Sequence, residues 1–188
     1  MNNATNTLVT DFCFAMVKHD GLAMHGDDLI FERLKAKGFV ICAQKLVKLD
    51  EAQIDTIYCI IADKPFYGRM KTSIISKDAL CLIVGGGKDL VETIEALKGS
   101  PTTPGTIRGD LSYIHQMTPE QYQAFQKDES ITNAATGRSI HDHIFMDDRF
   151  HSSEAGADSR RAIVCMFTPE EIIKTAADYP AFSEFMSV

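Results

Sequence analysis

Apolar runs alternate with amphipathic stretches along most of the chain. Four of the runs have the length and apolar content of buried strands; they cover residues 12–17, 39–49, 79–84 and 162–167. Between them, apolar residues recur at the three- to four-residue spacing of helices. This order predicts an α+β fold of the ferredoxin-like type, βαββαβ, with helices covering one face of a four-stranded antiparallel sheet.

Polar residues and glycines indicate where the helices begin and end. Asp27 or Asp28 is predicted to cap one helix, and Asp50 is predicted to cap the next. Gly99 is positioned to end the helix that starts near residue 90, because glycine readily takes the backbone conformation found after helices. Thr168, followed by a proline and two glutamates, predicts the start of the last helix.

Composition excludes several classes of protein. A length of 188 residues suits one domain. The longest apolar run, residues 79–84, is too short to cross a bilayer, and the N-terminus lacks the basic start and apolar core of a secretion signal. We therefore expect a cytoplasmic protein with no membrane partner. A net charge of −7 argues against nonspecific binding to nucleic acid.

Cysteine usage argues against disulfides and zinc. The chain has five cysteines, an odd number, and none of them form a CxxC pair. Most lie in apolar runs, where a free thiol behaves as a small hydrophobic group. The cations needed for an anionic ligand would have to gather locally, and the candidates are Lys18, Lys64, Arg69 and Arg108.

The stretch Pro104-Gly105-Thr106-Ile107-Arg108-Gly109-Asp110 carries the strongest chemical signal. Its two glycines let the backbone approach a ligand closely. Arg108 presents a planar fork suited to phosphate oxygens, and Thr106 adds a hydroxyl. Alone, the stretch fits either an anion-binding loop or an ordinary turn with a surface arginine. Two distant stretches, Met16-Val17-Lys18-His19-Asp20-Gly21 and Phe150-His151-Ser152-Ser153, favour the anion-binding loop.

In this order, the three stretches resemble the nucleoside diphosphate kinase family. The resemblance extends from about residue 12 to about residue 171. The arginine stretch matches residue for residue, whereas His19 replaces a usual proline and Ser152 replaces a usual glycine. The resemblance implies the ferredoxin-like fold. It also implies transfer of the γ-phosphate of a nucleoside triphosphate to a nucleoside diphosphate by a ping-pong mechanism.

The resemblance assigns roles to individual residues. His151 would be the nucleophile, because a neutral imidazole can take a phosphoryl group directly. Phe66 would lie against the nucleobase, although a core position is the alternative for this side chain. The implied catalytic residues are His151, Lys18, Tyr58 and Ser153. The implied nucleotide-binding residues are Lys18, Phe66, Lys64, Thr106, Arg108 and Asp148. Mg²⁺ would be held mainly by the nucleotide phosphates, without a protein metal site.

Three positions depart from the family pattern. Glu95 stands where an arginine that helps to bind phosphate is expected, Asp148 where an asparagine is expected, and Ala162 where a glutamate would orient the histidine. Each lost charge-assisted hydrogen bond costs about 1.5–3 kcal/mol. The alternative function is therefore a weak or inactive nucleotide-binding relative with a regulatory role. Glu154 or Asp158 could orient His151 instead. Arg138 or Arg149 could replace the lost cation.

An inserted segment at about residues 111–147 separates the arginine and histidine motifs by more residues than the family usually has. Because both of its ends are motifs, we expect it beside the active site, as a lid or a subunit contact. It contains His141-Asp142-His143, which leaves a metal-dependent hydrolase as a further alternative. Expected partners are ATP and other nucleoside di- and triphosphates, and the family resemblance implies a homo-oligomer.

Overall fold

A computed structural model describes residues 9–101, 103–112, 149–154 and 156–188. The inserted segment predicted at about residues 111–147 therefore lies outside the described residues, apart from positions 111 and 112. Asp148 lies outside them as well. Among the described residues, no helix is both long and apolar enough to cross a membrane.

The described residues form one four-stranded antiparallel sheet. Its strands are β1 (Asp11–Val17), β2 (Val40–Lys48), β3 (Asp78–Gly86) and β4 (Phe150–Ser152). Their spatial order is β2-β3-β1-β4, so β1 pairs with both β3 and β4. The predicted ferredoxin-like α+β architecture is confirmed. It places β4, which carries His151, at an edge of the sheet.

Helices connect and follow the strands. Those before β4 are α1 (His19–Ala23), α2 (Gly26–Ala36), α3 (Glu51–Ile57), α4 (Tyr67–Ile74), α5 (Leu90–Lys98) and α6 (Ile107–Leu111). Those after β4 are α7 (Gly156–Met166), α8 (Pro169–Asp178) and α9 (Pro180–Ser187), and a 3₁₀ turn at Cys59–Ile61 follows α3. Asp50 and Thr168 cap α3 and α8 as predicted, each within a capping box.

The predicted cap of α2 is wrong by about two residues. The helix begins at Gly26, and its N-cap is His25, whose backbone is left-handed with φ of 56°. Asp27 and Asp28 lie in the first turn instead. Carboxylates in that turn interact favourably with the positive end of the helix dipole. The two aspartates therefore indicate where a helix begins, although neither of them is its N-cap.

The prediction of a fourth strand at residues 162–167 is also wrong. Residues 162–166 belong to α7, whose buried side chains include Ala162, Ile163 and Met166 at helical spacing. A short apolar run does not distinguish a buried strand from a buried helix by periodicity alone. The fourth strand is the three-residue β4, which is defined by its pairing with β1.

Apolar side chains pack on both faces of the sheet, so the expectation that helices cover only one face is wrong. On one face, Phe12, Phe14 and Met16 of β1 pack with residues of α3, α4, α7 and α9. On the other, the alternate residues of β1 pack with α2, α5 and α6. Burial on both sides explains why β1 is apolar at every position after Asp11. Burial raises the pKa of the Cys13 and Cys81 thiols to about 12, so both remain protonated within the core.

Candidate active site

Pairing between β1 and β4 brings two of the three sequence motifs together. Met16 lies opposite His151, and Val17 lies opposite Phe150. Lys18 follows β1 directly, and its backbone N–H donates to the carbonyl of Arg149 at 2.9 Å. The lysine and the histidine are 133 positions apart in the sequence. The pairing of β1 with β4 brings the end of β1, which Lys18 follows, beside the strand that carries His151.

Tyr58, just after α3, contacts both of these residues through its ring. The ring centroid lies 4.7 Å from that of the His151 imidazole. The Lys18 ammonium lies 5.4 Å from the Tyr58 centroid, within the range of a cation–π contact. Lys18 and Tyr58 are only 3% and 5% exposed. The Tyr58 ring thus contacts the lysine of one motif and the histidine of another.

The arginine motif comprises the turn before the short helix α6 and most of that helix. Thr106 is its N-cap: the Oγ1 atom accepts from the Gly109 N–H at 3.1 Å and donates to the Thr103 carbonyl at 2.7 Å. The Arg108 Nε donates to the carbonyl of Phe150 at 3.2 Å. The guanidinium is therefore held beside the residue that precedes His151, and Thr106 supports the turn.

A pocket of about 280 Å³ opens where these elements meet. His151, which is half-buried, lines it together with the two serines that follow. Arg108 contributes a positive charge, and half-buried Phe66 contributes an aromatic face. The remaining lining residues are Ile57, Tyr58, Ile60, Ile61, Met70, Lys98, Glu154 and Asp158. A cation beside an imidazole and aromatic surface suits a ligand that combines phosphate with a flat ring.

Several predicted residues lie away from this pocket. Lys18, Lys64 and Thr106 are not among the described residues that line it. Lys64 is exposed, and its ammonium lies 3.5 Å from the Asp63 carboxylate. Four further predictions fall where nothing is described: Asp148, Arg138, the His141-Asp142-His143 segment and the side chain of Arg69.

Next to Lys18, Asp20 provides a counter-charge. Burial alone would raise the pKa of this carboxyl, but the hydrogen bond from His19 and the nearby charges, which include Arg149 and Lys18, hold it below its usual value. The His19 Nε2 lies 2.8 Å from the Asp20 carboxylate. The lysine that follows β1 therefore lies beside a carboxylate that stays ionised at neutral pH.

Glu95, predicted as a departure from the family pattern, lies on α5 and forms an ion pair with Lys98 one turn later. The Ser152 hydroxyl donates to the same carboxylate oxygen at 2.6 Å. Lys98 is only 6% exposed and lines the pocket. Sequence reasoning missed this cation. Its three-residue spacing from Glu95, just ahead of the helix-ending Gly99, was the signal that could have suggested a pair.

Ala162, the third departure, is 1% exposed within α7 and has no polar side-chain atom to orient a histidine. Glu154 and Asp158, the predicted replacements, both line the pocket. The Asp158 carboxylate accepts from Arg161 at 2.6 Å. Arg149, the residue before β4, is buried and is not among the described residues that line the pocket.

The comparison with known families decides the identity. The family model described as nucleoside diphosphate kinase matches residues 11–172. The chain belongs to the nucleoside diphosphate kinase family. The match covers the stretch in which the sequence motifs predicted the resemblance, and the predicted enzyme class, nucleoside-diphosphate kinase, is confirmed with it.

Individual nucleoside diphosphate kinases are similar over most of the chain. The Aspergillus fumigatus enzyme is 26% identical over 164 residues, covering 85% of this chain and 87% of the relative. The Metallosphaera sedula enzyme is 27% identical over 169 residues, covering 88% and 99%. The Methanobrevibacter smithii enzyme is 36% identical over 104 residues, covering 53% and 68%.

Solved structures of the family share the fold. The kinase of Borrelia burgdorferi superposes with a TM-score of 0.64 at 24% identity, covering 86% of this chain and 89% of that one. The kinase of Halobacterium salinarum superposes with a TM-score of 0.62 at 24% identity, covering 86% and 90%. At this level of identity, the likeness shows the arrangement of strands and helices.

Proposed function

We propose that this family member transfers the γ-phosphate of a nucleoside triphosphate to a nucleoside diphosphate through a phosphohistidine on His151. One observation carries the proposal: the half-buried imidazole shares a pocket with Arg108, next to the Tyr58 ring. An imidazole nitrogen forms a bond to the γ-phosphorus while the bond to the bridging oxygen breaks, and the diphosphate leaves. A second diphosphate then takes the phosphoryl group through its terminal phosphate oxygen.

The neighbouring residues would position the phosphates and neutralise their charge. Arg108 pairs with phosphate oxygens from the pocket wall, and Lys18 adds a positive potential from behind Tyr58. Ser153, only 5% exposed, lines the pocket two positions after His151. Phe66 offers a face on which any nucleobase can stack. Two predicted residues keep indirect roles. Thr106 holds the turn that carries Arg108, and Lys64 adds positive charge outside the pocket.

The nucleotide is also expected to bring the divalent cation. Among the described residues, no group of three or more His, Cys, Asp or Glu side chains could hold a metal ion. Phosphate oxygens are preferred Mg²⁺ ligands, so we infer that Mg²⁺ enters on the nucleotide and offsets phosphate charge when bound. The Borrelia structure contains vanadate and ADP, and the Halobacterium structure contains CDP, which supports nucleotides as ligands. We further infer a cytoplasmic homo-oligomer.

A weak or inactive nucleotide-binding relative is the second candidate. Ala162 offers no carboxylate to orient His151, and the Glu95 carboxylate stands near the pocket in place of a guanidinium. Either change reduces the stabilisation of the transferring phosphate, which in a strongly affected enzyme would leave nucleotide binding without turnover.

Intact-mass measurement after incubation with ATP and Mg²⁺ separates the two candidates. The kinase proposal predicts the gain of one acid-labile phosphate, its absence in His151→Ala, and its loss from the wild type when GDP is added. His25→Asn is the matched control: it removes an imidazole that is not among the described lining residues, at a backbone position that asparagine tolerates. Bound ATP without a phosphate gain would instead support the nucleotide-binding relative.

A further inference from the structure

Glu95, Lys98 and Ser152 form a polar cluster where α5 meets β4, and Lys98 and Ser152 of this cluster line the pocket. One oxygen of the Glu95 carboxylate accepts from the Ser152 hydroxyl at 2.6 Å and pairs with the Lys98 ammonium. The side chain of Lys98 is 8% exposed and that of Glu95 is 33% exposed. The cluster is therefore anchored at the residue that directly follows His151.

Lys98 lies in the wall of the pocket, and its ammonium is paired with a carboxylate. Burying a charged group is costly unless it is paired, and Glu95 supplies that pairing. Lys98 lines the pocket, together with His151 and Arg108. An ammonium has three N–H donors, so the bond to one carboxylate oxygen does not exhaust them. The remaining donors can serve phosphate oxygens in the same pocket.

We propose that Lys98 is a further phosphate-binding residue of this site and that Glu95 is its positioning residue. The inference rests on the proposed function, because its ligand is the phosphate chain of the nucleotide. Without Lys98, Glu95 would place an uncompensated negative charge beside those phosphates. With it, the departure from the family's arginine becomes a pair in which the cation comes from one helical turn later.

Binding measurements on Lys98→Met test the phosphate contact. The variant keeps an apolar stem of similar length and removes the charge. Isothermal titration should show the affinity for ADP falling about 10–150-fold, while the affinity for adenosine, which has no phosphate, stays unchanged. Lys98→Arg should recover most of the ADP affinity because it keeps a charged donor.

Lys174→Met is the matched control. Lys174 is exposed on α8 and pairs with Asp178 of the same helix at 2.7 Å, so the variant also removes a lysine from an ion pair within one helix. It should bind ADP as the wild type does. Circular dichroism and thermal unfolding establish whether each variant is folded. If Lys98→Met does not fold, the comparison of Lys98→Arg with Lys98→Gln tests the same requirement for charge.

Several results would overturn the proposal. ADP affinity unchanged in Lys98→Met would do so, and so would an equal loss for ADP and adenosine, which is the behaviour of a purely structural pair. For Glu95, we expect Glu95→Gln to weaken ADP binding but not adenosine binding, with recovery in Glu95→Asp. Tighter ADP binding in Glu95→Gln would end its assignment as a positioning residue.

The measurement also distinguishes this proposal from the kinase mechanism. ADP binding needs no phosphoryl transfer, so the role of Lys98 is judged even if the wild type gains no phosphate from ATP. In that case the mechanism fails while the phosphate contact is still decided. A wild-type protein that binds no ADP at all would overturn both.

Discussion

The position of Arg108 depends on the glycine that follows it, Gly109. A Cβ atom on Gly109 would lie 1.8 Å from the carbonyl oxygen of Thr103 and 2.9 Å from the Thr106 Oγ1. The first of these atoms belongs to the backbone and cannot rotate away. Any side chain at position 109 must therefore displace the turn that holds the guanidinium beside β4.

We therefore predict that Gly109→Ala destabilises the protein by about 1–3 kcal/mol and weakens phosphoryl transfer from ATP to GDP. Chemical denaturation and a coupled transfer assay measure the two effects. Gly68→Ala is the control, because a Cβ there meets no atom within 4 Å and alanine in a helix is favoured by about 0.5–1 kcal/mol. Wild-type transfer in Gly109→Ala would show that the turn tolerates the shift.

Individual site residues were predictable from the sequence where they belong to a motif of contiguous residues. Arg108 and His151 were predicted because their neighbours in the chain identify them, and both line the pocket. Lys98 was missed because nothing around it in the sequence indicates phosphate binding. Only the packing of α5 against β4 brings it to Ser152, 54 positions later, and that packing is a property of the folded chain.

Among the elements, the three long strands and the capped helices were predictable and the short strand was not. β1, β2 and β3 span seven to nine residues each, which is long enough for the apolar pattern to identify them as strands. β4 has only three residues, and its strand character comes from pairing with β1. The apolar run within α7 was predicted as the fourth strand because its length and apolar content match those of a buried strand. The histidine motif therefore lies on a strand that the apolar pattern does not predict.

The capping box of α8 also links that helix to the sheet. Glu171 accepts from the Thr168 N–H at 2.7 Å and from the Lys45 ammonium of β2 at 2.9 Å. The hydrogen bond from Lys45, followed by that from the Thr168 backbone, lowers the pKa of Glu171 below its ordinary 4.5. Its contribution to stability is therefore present above pH 4.5 and is lost as the pH falls through the lower pKa of the folded state.

We predict that Glu171→Gln reduces the acid sensitivity of the free energy of unfolding. Below pH 4.5, the wild type should lose stability more steeply than the variant, because only the wild type has this carboxylate to protonate in the folded state. Urea denaturation at a series of pH values measures the slopes. Glu184→Gln, which removes an exposed carboxylate from α9, controls for net charge. Parallel slopes for the wild type and Glu171→Gln would contradict the assignment.

In the whole molecule, the pocket joins elements that pack on opposite faces of the sheet. Tyr58 and Phe66 come from the side of α3 and α4, whereas Lys98 and Arg108 come from the side of α5 and α6. β4 contributes His151 between them. A ligand in this pocket therefore contacts parts of the chain that only the folded state brings together, so its binding free energy must add to the stability of the fold.

We accordingly predict that ADP at about 100 times its dissociation constant stabilises the protein by about 2.7 kcal/mol. For a domain of this size, that corresponds to a rise in Tm of about 5–11 °C. Adenosine at the same concentration should give a much smaller rise, because it has no phosphates to interact with the cations that line the pocket. Added salt should shrink the ADP shift by screening those charges. Differential scanning fluorimetry with both ligands at several salt concentrations measures the change in Tm. Equal changes for ADP and adenosine that do not depend on salt would mean that the pocket recognises the base and not the phosphates.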